Sequence, residues 1–188
     1  HSMDLPKFAG SLLSIDDRQP PFKYTNTDRV WFYLGQDAAS LAITTWVYGK
    51  SKEGIMLEVY RQMVRNYHEW GINLPFELEA ESNLNASFTS TFLQEGRMFE
   101  NVKIEANNAR GKLIESRFNR AVRYDPNLEK GEAGWIARPM ARGESNQEGT
   151  AKVLVLPYAD IVNMSLGHIV TWNNMPHHED KSISRWDY

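Results

Sequence analysis

Glu115 stands alone among bases. Between Asn107 and Arg123 the charged residues are Arg110, Lys112, Glu115, Arg117, Arg120 and Arg123, one carboxylate among five cations. A solvated helix ordinarily mixes signs to gain pairs three or four residues apart. The position four residues after Glu115 holds neutral Asn119, which leaves Lys112, three residues back, as a helical partner. A single acid in a basic segment suits another division of labour: the acid ligates a metal ion, and the bases hold the phosphates around it. Arg110, Lys112, Arg117 and Arg120, with Asn108 at the start of the segment, are therefore the candidate nucleic-acid contacts. The plainer alternative is that the bases solubilise a helix and that Asn107 and Asn108 cap it.

Two further acids fall at the ends of expected strands. Asp16, with Asp17 beside it, closes the first; Glu81, just before Ser82-Asn83, closes the strand that follows the long helix. If these two strands pair at the centre of a sheet, their carboxyl ends are neighbours. A later helix laid across that edge can aim Glu115, on the border of its apolar stripe, at the same point. Three carboxylates together repel one another, and divalent cations remove that penalty; Mg²⁺ prefers such oxygen ligands with retained water. Two Mg²⁺ (or Mn²⁺) ions roughly 3.5–4 Å apart can activate an attacking oxygen and stabilise a leaving one in an in-line displacement. Asp16, Glu81 and Glu115 are the candidate catalytic and metal-ligating residues. Asp17 is the fallback for Asp16. Glu79 competes with Glu81, because Glu77, Glu79 and Glu81 share a face on an ideal strand. Taken singly, each acid is a turn residue or a solvated strand end; the constellation makes the case.

The elements that must position these acids follow from period and punctuation. Short strands are expected over residues 10–15, 29–34 and 41–48, the last two rich in aromatic and β-branched residues. Their short links favour antiparallel neighbours. Met56, Val59, Tyr60, Met63, Tyr67 and Trp70 step by three or four, the mark of an amphipathic helix ended by Gly71. A strand over 76–80 follows, then a short helix capped by Asn85 and running through Phe92-Leu93, then a strand over 98–104. Residues 112–123 form the helix that carries Glu115, with Ile114, Phe118, Ala121 and Val122 facing inward. Residues 125–147 read as a long loop or flap, in which Trp135 either docks on the core or stacks on a base. A strand near 152–156 and a helix over 157–172 close the chain. The order β-β-β-α-β-α-β-α with a further helix predicts a mixed sheet with helices on its faces.

Composition bounds the reading. The 188 residues suffice for one substantial core, and 41% hydrophobic with 24% charged is ordinary for a globular domain. Without cysteine there is neither a disulfide nor a thiolate metal site. No apolar run reaches membrane-spanning length and no secretory signal is visible. His1-Ser2-Met3 reads as an expression scar, so the chain is expected to be a piece of a longer protein. Residues 4–175 are expected to form the core and 176–188 a tail. The net charge of −3 runs against a nucleic-acid partner. An acidic site inside a locally basic surface averages to such a value.

Lys112-Leu113-Ile114-Glu115-Ser116-Arg117-Phe118 resembles the helix motif of the DDE transposase and retroviral-integrase superfamily: a basic residue and an apolar pair before the catalytic Glu, then Arg and an aromatic. Val30-Trp31-Phe32-Tyr33 to Asp37, and Ile43-Thr44-Thr45-Trp46, resemble the second and third strands of such cores. Trp172-Asn173-Asn174 with Pro176-His177 resembles their closing helix and tail. The chain is most similar to the Mu-type transposases of bacteria and phages, over roughly Ser11 to His177. The resemblance implies an α/β, ribonuclease-H-like fold with a mixed five-stranded sheet flanked by helices. It implies a Mg²⁺-dependent polynucleotidyl transferase that nicks mobile-element ends and joins the 3′-hydroxyl to target DNA as a homo-oligomer, cytoplasmic and nucleoid-associated. It places Asp37 outside the triad, as a turn or cap residue, and leaves Glu105 at its border. The chain departs from the pattern at the middle acid. The family has Asp there, whereas no Asp occurs from Ala38 through Tyr124, so the residue is Glu, with Glu81 lying 34 positions before Glu115. That departure keeps two other readings in play: a core that has lost its chemistry and serves DNA binding or assembly, and a nuclease of the same fold that cuts without joining.

Overall fold

In the computed structural model, residues 6–20, 22–105 and 155–188 are described. Strands β1 (Leu12–Arg18), β2 (Trp31–Asp37) and β3 (Ile43–Gly49) lead into helix α1 (Lys52–Glu69) and strand β4 (Glu77–Glu81). A single helical turn, α2 (Ser82–Asn85), continues as a 3₁₀ turn over Ala86–Phe88; then come β5 (Asn101–Glu105) and helix α3 (Tyr158–Asn174). The five strands form one sheet in the order β3-β2-β1-β4-β5. β2 runs antiparallel to both neighbours, while β1, β4 and β5 are parallel. A mixed five-stranded sheet with helices on both faces is the ribonuclease-H-like arrangement that the resemblance implies.

Strand alternation divides the core in two. Leu13, Ile15, Tyr33, Leu78 and Ala80 face α1 and pack against its Ile55, Met56, Val59, Tyr60, Met63 and Tyr67. Five of the six residues that the three-and-four spacing picks out are here, with Ile55 added; the sixth, Trp70, caps the helix and packs partly buried against the same cluster. The helix begins earlier than that stripe because Ser51 caps it, its Oγ accepting from Gly54 N at 3.1 Å. On the opposite face Phe32, Leu34 and Ile43 meet Ile161, Val162, Ile169 and Trp172 of α3.

Two local expectations are corrected. Asp16 and Asp17 do not end β1. The strand runs on to Arg18 because β2 pairs with it throughout, Asp16 opposite Leu34 and Arg18 opposite Phe32. Nor does Asn85 cap a helix reaching Leu93. It ends the single turn of α2 with its side chain fully buried, and residues beyond Phe88 form turns.

Asp37 is the turn residue expected. Its carboxylate accepts from Gly10 N (2.7 Å), Ser40 N (2.8 Å) and Ala39 N (3.1 Å), bracing the β2–β3 turn against the chain's start. Residues 175–188 fold back onto the same turn. His177 is buried and bonds Ala39 O at 2.9 Å, the Tyr188 ring stacks on it, and Trp186 meets Trp70 of α1 edge-on. The expected helix over 112–123, the loop over 125–147 with Trp135, and residues 152–154 lie outside the described residues; Val155 makes a lone bridge to Lys23.

Candidate metal centre

β1 and β4 are parallel neighbours at the middle of the sheet, with Leu12 opposite Glu77, Leu13 opposite Leu78 and Ser14 opposite Glu79. The pairing stops two residues short of Asp16 and Glu81; Glu81 is the last residue of β4, and Asp16 lies two residues before the end of β1. Neighbouring strands lie about 4.8 Å apart. Carboxylate oxygens of Asp16, Asp17 and Glu81 lie within 4.8 Å of one another. The strand pairing brings the two backbones alongside, and the side chains close the remaining gap.

Tertiary placement distinguishes the two candidate middle acids. Glu79 is buried beside Ser14, whose hydroxyl donates to its Oε2 at 2.8 Å. Glu81, at the strand's end, is half-buried and belongs to the acidic cluster. Asp17 lies on the α1 side of β1 by strand alternation, Asp16 on the other, so the cluster wraps the end of the strand. Asp16 Oδ1 accepts from Asp17 N at 3.0 Å, which orients that carboxylate.

Among the described residues, Lys52 and Arg18 reach the cluster. Lys52 Nζ lies 2.5 Å from Asp17 Oδ1 and 3.7 Å from Glu81 Oε2, and Arg18 Nη2 lies 3.6 Å from Asp16 Oδ2. Burial works against the charge on Lys52, but its hydrogen bond to Asp17 and the fields of Asp17, Glu81 and Asp16 more than reverse this, holding the ammonium above the ordinary lysine value. Beneath the cluster a buried polar chain fixes the end of β4. Asn85 Nδ2 donates to Glu81 O at 2.7 Å and to the Tyr33 hydroxyl at 3.4 Å, while its Oδ1 accepts from the Tyr60 hydroxyl at 2.6 Å. Burial pushes the Tyr33 phenol well above its ordinary value; Asn85 opposes that shift, and the negative charges of Asp17, Asp16 and Glu81 add to it. Tyr33 is thus a neutral support under the acids.

An all-oxygen donor set of this kind suits a hard divalent cation, Mg²⁺ or Mn²⁺, rather than zinc or copper. Of the residues expected to form the site, the structure brings Asp16 and Glu81 together with Asp17, the expected fallback. Glu115, Asn108, Arg110, Lys112, Arg117 and Arg120 lie outside the described residues. Sequence reasoning missed Lys52 and the Tyr60–Asn85–Tyr33 chain. One signal was present: a lysine directly after a helix cap has the wrong sign for the helix dipole. Glu105 closes β5 opposite Glu81.

No protein-family model and no curated protein matches the chain by sequence. Solved structures with a similar backbone include two of viral origin. One is an intasome of simian T-cell lymphotropic virus in complex with PP2A regulatory subunit B56 gamma, with a TM-score of 0.49, 14% identity, and coverage of 98% of this chain and 55% of that one. The chain thus spans little more than half the length of that relative. The other is the integrase catalytic core domain of HTLV-2 in complex with magnesium, in a dimeric form, with a TM-score of 0.45, 12% identity, and coverage of 94% of this chain and 93% of that one.

Proposed function

We propose that this chain is the catalytic core of a Mu-type DNA transposase or integrase, cleaving DNA strands and joining them by in-line phosphodiester displacement. One observation carries the reading: Asp16 and Asp17, near the end of β1, and Glu81, at the end of the neighbouring parallel strand β4, bring carboxylate oxygens within 4.8 Å of one another. Asp16 and Glu81, joined by Glu115, would hold two Mg²⁺ or Mn²⁺ ions. When bound, such ions make the attacking water or 3′-hydroxyl more acidic and stabilise the leaving oxygen. The protein's own part is positioning. The strand pairing brings the backbones of two acids alongside, Asn85 anchors the Glu81 backbone, and Arg110, Lys112, Arg117, Arg120 and Asn108 hold phosphates. No covalent enzyme intermediate is required. DNA ends and target are the substrates, and assembly as a homo-oligomer on DNA completes the machine.

Lys52 within the cluster gives a second reading its footing. An ammonium already paired with Asp17 and Glu81 suits a core that retains the fold for DNA binding or assembly without chemistry. Strand cleavage and joining by the full-length protein on its own element ends, with Mn²⁺, separates the two. Asp16→Asn, Glu81→Gln and Glu115→Gln are each expected to abolish both steps while the fold survives, and Glu79→Gln to remain active. An active Glu81→Gln beside a dead Glu79→Gln reassigns the middle acid. Wild type that leaves every strand intact hands the case to the binding module.

A further inference from the structure

Lys52 opens α1 directly after the Ser51 cap, where the helix dipole disfavours a cation. Its side chain is only 16% exposed, and its ammonium lies 5.9 Å from the centre of the Trp31 ring. Lysines on a free helix end extend into water; this one turns inward. What draws it in is Asp17 at 2.5 Å, with Glu81 behind it at 3.7 Å. An oxygen that touches an ammonium cannot present the same lone pair to a metal ion at about 2.1 Å. Lys52 and a divalent ion therefore draw on the same acids.

We infer that Lys52 is a resident counter-cation of the acidic centre: it holds Asp17 and Glu81 together without metal, withdraws when a divalent ion enters, and so sets the centre's metal affinity. The inference rests on reading Asp16, Asp17 and Glu81 as metal ligands. The cluster joins three negative charges to the two positive charges of Lys52 and Arg18. Removing one of those cations deepens the attraction for a divalent ion and clears the Asp17 oxygen. At a partly exposed site the gain is about tenfold in affinity.

Mn²⁺ binding to the full-length protein, followed by titration calorimetry and by the electron-paramagnetic-resonance signal of the free ion, tests this without any turnover. Lys52→Met is expected to bind Mn²⁺ about tenfold more tightly than wild type. Lys52→Arg, which keeps the charge, should stay near wild type, and Asp16→Asn should lose the ion. In EDTA, Lys52→Met should melt below wild type, and saturating Mn²⁺ should erase the deficit. Should Lys52→Met fail to fold without metal, Lys52→Gln takes its place, keeping a donor without the charge. Equal or weaker binding by the neutral variants, with Asp16→Asn still losing the ion, overturns the role given to Lys52 and leaves the metal centre standing. If neither wild type nor the neutral variants take up Mn²⁺, the metal centre falls and the counter-cation role falls with it.

Discussion

Replacing Asn85 with Ala should damage the candidate centre from below. The Asn85 side chain is fully buried and makes three hydrogen bonds: to Glu81 O at 2.7 Å, from the Tyr60 hydroxyl at 2.6 Å, and to the Tyr33 hydroxyl at 3.4 Å. The first two are short and the third is long, so two carry most of the energy. Each lost bond costs about 1 kcal/mol net, and a buried group left without a partner costs about 1–3 kcal/mol more. Asn85→Ala strands the Tyr60 hydroxyl, and the sum is roughly 3–5 kcal/mol. Tyr60→Phe removes one partner and should cost roughly 1–2 kcal/mol. The double variant should fall short of the sum by about 1–2 kcal/mol, because both singles break the same bond.

Urea unfolding measures these costs as shifts in midpoint at unchanged slope. The functional readout is separate. Asn85 anchors the carbonyl of Glu81, so Asn85→Ala should weaken Mn²⁺ binding, whereas Tyr60→Phe, which spares that anchor, should not. A cost below about 0.5 kcal/mol for Asn85→Ala, the level of an ordinary surface change, would refute the network. Strict additivity with Tyr60→Phe would refute the pairing at its centre.

Two further outcomes follow from groups away from the acids. Burial raises the Tyr67 phenol from its ordinary 10.0 to about 12, with its bond to Thr44 opposing and Asp37 adding to the shift. The unfolded chain therefore ionises first as pH rises. The stabilisation is complete below about pH 10, is lost progressively up to about pH 12, and amounts to roughly 2–3 kcal/mol; Tyr67→Phe should flatten that part of an alkaline unfolding curve. Arg185 lies 3.3 Å from the centre of the Trp172 ring and donates to Trp172 O at 2.8 Å, fastening residues 175–188 to the end of α3. Arg185→Ala should cost roughly 2–3 kcal/mol in urea unfolding, since it loses both a desolvated cation–π contact and a charged hydrogen bond. Arg185→Lys, which keeps the charge without the planar fork, should recover only part of it.

The sheet and its flanking helices were legible because their signals are local and repeated. Trp31 to Leu34 and Ile43 to Tyr48 have strand composition, and Met56 to Tyr67 carries a helical stripe that the structure buries residue by residue. The extent of β1 was not legible. An acidic pair before Gln19-Pro20 looks like a terminator, and only pairing with the distant Tyr33 and Phe32 carries the strand through it. Asn85 misled for a related reason. The residue type serves equally at a helix cap and in a buried amide network, and the partners that decide, Tyr33 and Tyr60, lie 52 and 25 positions away. Period-two reasoning left Glu79 and Glu81 equivalent. Tertiary placement made them different, because Glu79 bonds Ser14 and Glu81 joins Asp16 and Asp17 in the acidic cluster.

Glu81 reaches the cluster through the length of its side chain. The strand pairing brings the two backbones alongside, so the side chains have only the remaining gap to close. Glu81 has a longer reach than Asp, and the extra methylene lets its carboxylate approach both Asp16 and Asp17 from the last position of β4. Crowding three acids this way is unfavourable unless cations are near. Among the described residues, β1 provides Arg18 and the start of α1 provides Lys52. The acids are thus brought near by strand pairing and tolerated through side-chain charge. A substitution that disturbs the strand pairing should scatter the carboxylates, whereas one that removes a cation should leave them in place with a stronger pull on an added divalent ion. Those opposite signs give the architecture its sharpest experimental signature.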